Sequence, residues 1–313
     1  MANERAPGQH PAPEVVKGML IMAVAVLTLP GLDAFAKLAA ESVPVGEIAW
    51  FRFIFQTLAL SPLVLWRHRG WPRVNRLPVH ALRGALMALA TLLFFAALAR
   101  MPMAEAIAIF FVEPLILTLF SALFLGETVG WRRVAAILVG FTGALLVIRP
   151  NYAEFGTAAL LPLGTAVCFA GYLALSRSLS RDGDALTMQF TTGVVGSIVM
   201  TMALVVGWGV NITVLNPVMP DGNALVLMVG MGVAATTGHL LLTQAFRFAP
   251  AGILAPFQYL EIISATALGY LVFGDIPDDL TVIGVTVIVG SGLYIFHRER
   301  MDARRPPHDA PAP

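Results

Sequence analysis

Charge is scarce in this sequence. Asp, Glu, Lys and Arg make up 12% of its 313 residues against 58% hydrophobic ones, and the mean hydropathy is +0.79. Water cannot solvate so apolar a chain as a globular domain, which excludes a soluble enzyme or binding module. A lone cysteine, Cys168, excludes an intrachain disulfide and a cysteine-held metal cluster; inside an apolar segment it reads as a packing residue. A net charge of +1 gives no bulk attraction to nucleic acid. His-Glu-x-x-His, Gly-x-Ser-x-Gly and the phosphate-cradling Gly-x-x-x-x-Gly-Lys-Ser/Thr are all missing, which argues against an enzyme and against an ATP-driven pump. Neither a cofactor nor a metal is expected. The stretch before Lys17 is polar and proline-rich, so no cleavable signal is read there.

What the chain does have is apolar length. Short polar clusters cut it into about ten stretches, each close to the roughly 20 residues that a helix needs to cross a bilayer. Spans are expected near residues 17–40, 44–66, 79–99, 103–125, 131–148, 157–176, 184–208, 223–246, 250–273 and 280–297. Turn chemistry separates them at Ser42-Val43-Pro44, Arg100-Met101-Pro102, Arg149-Pro150-Asn151, Arg181-Asp182-Gly183, Pro220-Asp221-Gly222 and Ala249-Pro250. Basic residues gather in cytoplasmic loops. With both termini inside, sixteen of the twenty lie on the inner side, the second loop taking Arg67, Arg69, Arg73, Arg76 and Arg83. Only Arg100 and Arg149 lie outside, while Lys37 and Arg52 fall within spans. An odd number of helices would spoil that division. The expectation is a multi-pass protein of the cytoplasmic (inner) membrane, surrounded by the lipid bilayer, with disordered cytoplasmic tails at 1–16 and 298–313.

The two halves of the chain resemble each other. Phe111-Val112-Glu113-Pro114, ending in Leu125-Gly126-Glu127, recurs as Tyr259-Leu260-Glu261-Ile262, ending in Phe273-Gly274-Asp275, with thirteen residues from acid to glycine both times. The next helices end alike, in Gly140-Phe141-Thr142-Gly143 and Val289-Gly290-Ser291-Gly292, one residue later in the second copy. Five spans per half is an odd number, so the second copy enters the membrane from the opposite side. The expected fold class is all-α integral membrane, with ten transmembrane helices as two inverted five-helix repeats over residues 17–149 and 150–297. Many carriers build alternating access around a midplane site from that architecture.

Ionisable groups inside hydrocarbon are costly unless paired or facing a water-filled cavity, so they are the residues to weigh. Asp33 and Lys37 lie four apart on one helix face. They either neutralise each other or meet the solute, and Pro30-Gly31 before them would free backbone groups near the midplane. Arg52 needs an acidic partner on another helix or an anionic group of the solute. Glu113 and Glu261 are repeat mates flanked by Phe110 and Phe111 and by Phe257 and Tyr259; the rings either pack on neighbours or line a cavity for a flat, partly polar molecule. A carboxylate buried there without a cation would let proton binding couple to transport. His239 and Gln244 are weaker candidates, since a single polar side chain in a bundle often only bonds a neighbouring helix. Glu127 and Asp275 read as loop or helix-start residues. Ala136, Gly140 and Ala144, and Thr192 with Gly196, permit close helix contact, within the chain or in a homodimer.

Phe51-Arg52-Phe53, Met101-Pro102-Met103-Ala104-Glu105-Ala106, Glu113-Pro114 and Leu125-Gly126-Glu127 together resemble the EamA-type ten-helix families of the drug/metabolite transporter superfamily, over about residues 17 to 297. The resemblance implies a secondary carrier or exporter of a small-molecule solute, with spans one, three, four, six, eight and nine around the pathway and five and ten peripheral. It raises Asp33, Glu113, His239 and Glu261 as pathway residues. Relatives in that superfamily carry riboflavin, S-adenosylmethionine or amino acids, and the aromatic residues here lean toward riboflavin uptake. The sequence departs from the family pattern at Ile262, where proline is expected, and at Asp275, where glutamate is.

Overall fold

The computed structural model describes residues 12–72, 74–125, 131–179, 184–248, 254 and 257–303. Among them the regular structure is helical: α1 (Ala12–Ala39), α2 (Val45–His68), α3 (Leu77–Leu98), α4 (Met103–Phe110), α5 (Glu113–Leu125), α6 (Trp131–Phe155), α7 (Leu161–Leu179), α8 (Ala185–Gly209), α9 (Gly222–Phe248), α10 (Leu260–Leu268) and α11 (Asp279–Ala303). Seven stretches are long and apolar enough to cross a membrane: Glu14–Ala39, Val45–His68, Leu77–Leu98, Met103–Phe120, Tyr152–Ser176, Leu186–Gly209 and Gly222–Leu242. Val134–Ile148, Leu260–Phe273 and Asp279–Tyr294 are shorter apolar helices.

Local chemistry sets the helix ends. Pro44 and Pro102 stand at the N-caps of α2 and α4, with φ of −59° and −57° already suited to a helix entry. Asp184 caps α8 by accepting the Thr187 N–H at 2.7 Å, and Asp221 and Asp278 do the same for Ala224 and Thr281. Outside the apolar span of α8, Asp184 also meets Arg67 at 3.2 Å and His68 at 3.4 Å. Burial pushes its carboxyl up, but the bonds from Thr187 and the charges of Arg67 and His68 outweigh that and hold it below the usual carboxylate value.

Several expected boundaries move. Pro30 lies inside an unbroken α1, because in hydrocarbon a helix that opened would expose backbone groups with no water to bond them. The turn expected at Arg149-Pro150-Asn151 is absent: α6 runs on to Phe155, and the chain turns at Gly156, whose φ of +59° opens a short 3-10 helix. α1 begins at Ala12, before the expected end of the tail at residue 16, and α11 continues to Ala303, through part of the expected C-terminal tail. Residues 1–11, 304–313, Gly126-Glu127, Arg181-Asp182-Gly183 and Ala249-Pro250 lie outside the described residues. Arg83 is corrected too. It belongs to α3 rather than to the loop before it, and only 1% of its surface is exposed.

The fourth expected span is broken. α4 ends at Phe110, Phe111 and Val112 form a turn, and Glu113 opens α5, with Val112 N–H donating to Ile109 O and Leu115 N–H to Val112 O. A turn occurs at the matching place in the second half, at Tyr259, with Ile262 N–H donating to Tyr259 O. α10 then passes into a π-helical turn, Gly269–Phe273, that ends at Gly274 with φ +74°.

α1 packs along α9 and α10, α2 along α8 and α9, α3 along α7 and α8, α5 along α7, α4 against α10, and α6 along α11. Ile48, Phe53, Ala88, Leu98, Ile107, Ile109 and Val112 are buried in the main core, while Leu58, Leu138, Val206 and Val226 point outward, as a lipid-facing surface requires. Small residues are consumed inside the chain. A Cβ on Gly140 would meet Leu115 and the Ser291 hydroxyl, and one on Gly143 the Gly284 carbonyl. Ala136 and Ala144 are buried beside them, so this stripe serves the contact of α6 with α11.

Candidate functional site

Polar and charged side chains converge between the helices. Asp33 of α1 and Arg52 of α2 are each 4% exposed. They lie within electrostatic reach of each other without forming an ion pair. Arg52 donates through Nη1 to the Thr91 hydroxyl of α3 and lies over the Phe53 ring, 5.1 Å from its centroid. Its Nε has no hydrogen-bond partner among the described residues. The field of Arg52 reaches His239 of α9 and Tyr172 of α7. Glu261 of α10 is close enough to Asp33 for the two acids to interact. The site therefore links one guanidinium electrostatically to a carboxyl group and an imidazole, with a second carboxyl group neighbouring the first, contributed by α1, α2, α9 and α10.

A second group adjoins it. Glu113, 7% exposed, interacts electrostatically with Tyr259, and Phe111 and Tyr259, matching positions of the two halves, meet at a tilt, 5.5 Å between centroids. From Phe111 the rings run on through Phe110 at 6.0 Å to Phe94 at 5.7 Å and Phe169 at 5.5 Å, and from Phe169 to Tyr172 at 5.5 Å. In this conformation the aromatics pack on one another. A small, partly open pocket lined by Gln56, Leu60, Gln189, Thr236, His239 and Leu240 measures about 10 Å³, room for one water. Phe257 is not part of this group. It packs with Met22, Val26, Ala245 and Leu254 in a separate apolar cluster.

Lys37 also departs from expectation. Its ammonium pairs with Asp275 at 3.0 Å, not with Asp33. It further donates to the Met101 carbonyl at 3.1 Å and lies 4.5 Å from the Phe273 ring centroid. His239 bonds the Ala235 carbonyl through Nδ1 at 2.8 Å, and Gln244 is exposed.

Four members escaped the sequence reading. Arg83 donates to Ser176, Met188 O and Thr192 and lies 5.3 Å from the Tyr172 ring centroid, so Tyr172 lies against one buried guanidinium and within the field of a second, Arg52. Gln56 donates to the Gln189 carbonyl at 3.0 Å and to its side chain at 3.3 Å. Arg83 was legible in principle, being five residues into an expected span. Tyr172 and the two glutamines carry no sequence signal apart from polarity in an apolar stretch.

A helical membrane bundle in which charged groups from several helices meet in the interior has the build of a solute carrier. The chain belongs to the EamA-like transporter family, whose model matches residues 16–149 and 156–296. It is 26% identical over 268 residues to an S-adenosylmethionine uptake transporter of Rickettsia bellii, covering 86% of this chain and 89% of the relative. It is 30% identical over 274 residues to a pseudopaline exporter of Pseudomonas aeruginosa, covering 87% and 93%. A riboflavin transporter of Rhizobium johnstonii is 31% identical over 268 residues, 84% of each chain.

Proposed function

We propose that the protein is a secondary carrier that moves a small organic metabolite across the cytoplasmic membrane by alternating access, through ten spans built as two inverted five-helix repeats with both termini inside. The observation that carries this reading is the convergence of Asp33, Arg52, His239 and Glu261 in the bundle interior. Such a concentration of charge is costly in hydrocarbon unless a solute or ion meets it there. Helix packing supports the repeat. Exchanging each span with its partner five places on turns the contact of α1 with α9 into that of α7 with α3, and leaves α2 with α8, α4 with α10 and α6 with α11 unchanged. The seven long spans and three shorter apolar helices supply the ten crossings.

On this reading Asp33, Arg52, Glu113, His239, Tyr259 and Glu261 meet the solute, with Phe110 in the ring chain beside them. The aromatic rings suit a flat ring system, which makes riboflavin the first cargo to try. The neighbouring acids Asp33 and Glu261 favour a second class, a cationic solute such as S-adenosylmethionine. The test is uptake of labelled riboflavin and of labelled S-adenosylmethionine into proteoliposomes holding the purified protein. Saturable uptake of one, competed by its unlabelled form, fixes the cargo class; absence of both, with metabolite efflux from cells also unchanged, would remove the carrier reading.

A further inference from the structure

Lys37 joins three parts of one end of the bundle: its own helix α1, the connection between α3 and α4 through the Met101 carbonyl, and the end of the α10 segment through Asp275 and Phe273. On the topology proposed above this is the outer end of the pathway. The side chains of Lys37 and Asp275 are only 18% and 21% exposed, so salt screens their attraction less than it would a surface pair. Asp275 is itself held in place. Gly274 at φ +74° turns the chain, and the Asp275 N–H donates to Gly269 O at 3.1 Å across the π-helical turn.

A second acid is available to the same ammonium. Asp33 precedes Lys37 by four residues on α1, the spacing and the acid-first order in which such pairs form on a helix. In the described conformation Asp33 instead lies in the field of Arg52. We propose that Lys37 is a two-position switch: paired with Asp275 it holds the outer mouth shut, and paired with Asp33 it lets the mouth open. The exchange links mouth to site. When Lys37 turns to Asp33 it takes over that carboxylate, leaving Arg52 with less countercharge and readier for a group of the incoming solute. The inference rests on the alternating-access reading.

The test uses the full-length protein in nanodiscs, with Cys168→Ser and spin labels on cysteines introduced at the exposed positions Glu41 and Ile276. The expected result is that Asp275→Asn moves the population toward the longer distance and Asp33→Asn toward the shorter one. Lys37→Asp with Asp275→Lys should restore the short distance but not transport, because residue 37 then repels Asp33 and has no second partner. A merely structural ion pair predicts instead that the charge swap restores transport. That outcome, or unchanged distances in Asp275→Asn, overturns the switch. Failure of the unmutated protein to transport any tested solute speaks against the carrier reading and leaves the distance response as a separate result.

Discussion

The segment that breaks at Phe111 and the one that breaks at Tyr259 share a register and differ in nearly everything around it. The first has Pro114 just after its acid and the second has Ile262, yet both turn two residues before that acid. Proline is therefore not what bends the chain. The two turns instead lie against each other through the Phe111 and Tyr259 rings. Their acids meet different company, Glu113 with Tyr259 and Glu261 with Asp33. Corresponding residues of two similar segments thus share geometry without sharing an environment, because the helices around each are not the same.

The sharpest way to separate them is by charge. Glu261→Gln removes the acid that neighbours Asp33, whereas Glu113→Gln alters the aromatic side. Initial uptake rates, measured at matched expression, should fall about tenfold or more in Glu261→Gln, the change that about 1.4 kcal/mol of lost interaction produces, and less in Glu113→Gln. Equal losses would make the acids equivalent and undo the contrast.

A smaller effect comes from a glycine inside α11, the helix that follows the second break. A Cβ on Gly292 would lie 1.7 Å from the Tyr259 hydroxyl, with the next ring carbon at 2.9 Å. Gly292→Ala should cost about 1–3 kcal/mol by overpacking, seen as a lower thermal midpoint in detergent. Tyr259→Phe in the same chain should recover most of that loss, since it deletes the closest atom. If the double variant is no more stable than Gly292→Ala, the close approach is not what matters there.

The smallest effect is expected at the break itself. Pro114 lies in the first turn of α5, where a missing N–H has no intrahelical partner to lose. Pro114→Ile, which copies the second segment, should change stability by less than about 1 kcal/mol and leave uptake near its normal rate. A large loss would show that the first break depends on proline after all.

How far the sequence could be read varied with the kind of interaction. The placement of Asp33, Arg52 and Glu261 among apolar residues was enough to pick them out, because the cost of burying charge does not depend on which neighbour relieves it. Phe257 and Tyr259, two residues apart with the same apparent promise, separate into different clusters, since a turn between neighbours redirects a side chain in a way that composition does not encode. Gly140 and Ala144 read as a helix-contact stripe from their spacing alone, but that α11 is the helix contacted appears only in the packing.

By itself the sequence determined that the chain is helical, membrane-spanning and a member of a transporter family. Each of those follows from apolar length and local motif, which act along the chain and survive any arrangement of the helices. Only the tertiary structure decided that Lys37 reaches Asp275 rather than Asp33, that Arg83 is buried against α7 and α8, and that its guanidinium lies over the Tyr172 ring. Long side chains choose partners across helices, and those choices depend on which helices pack side by side and at what depth.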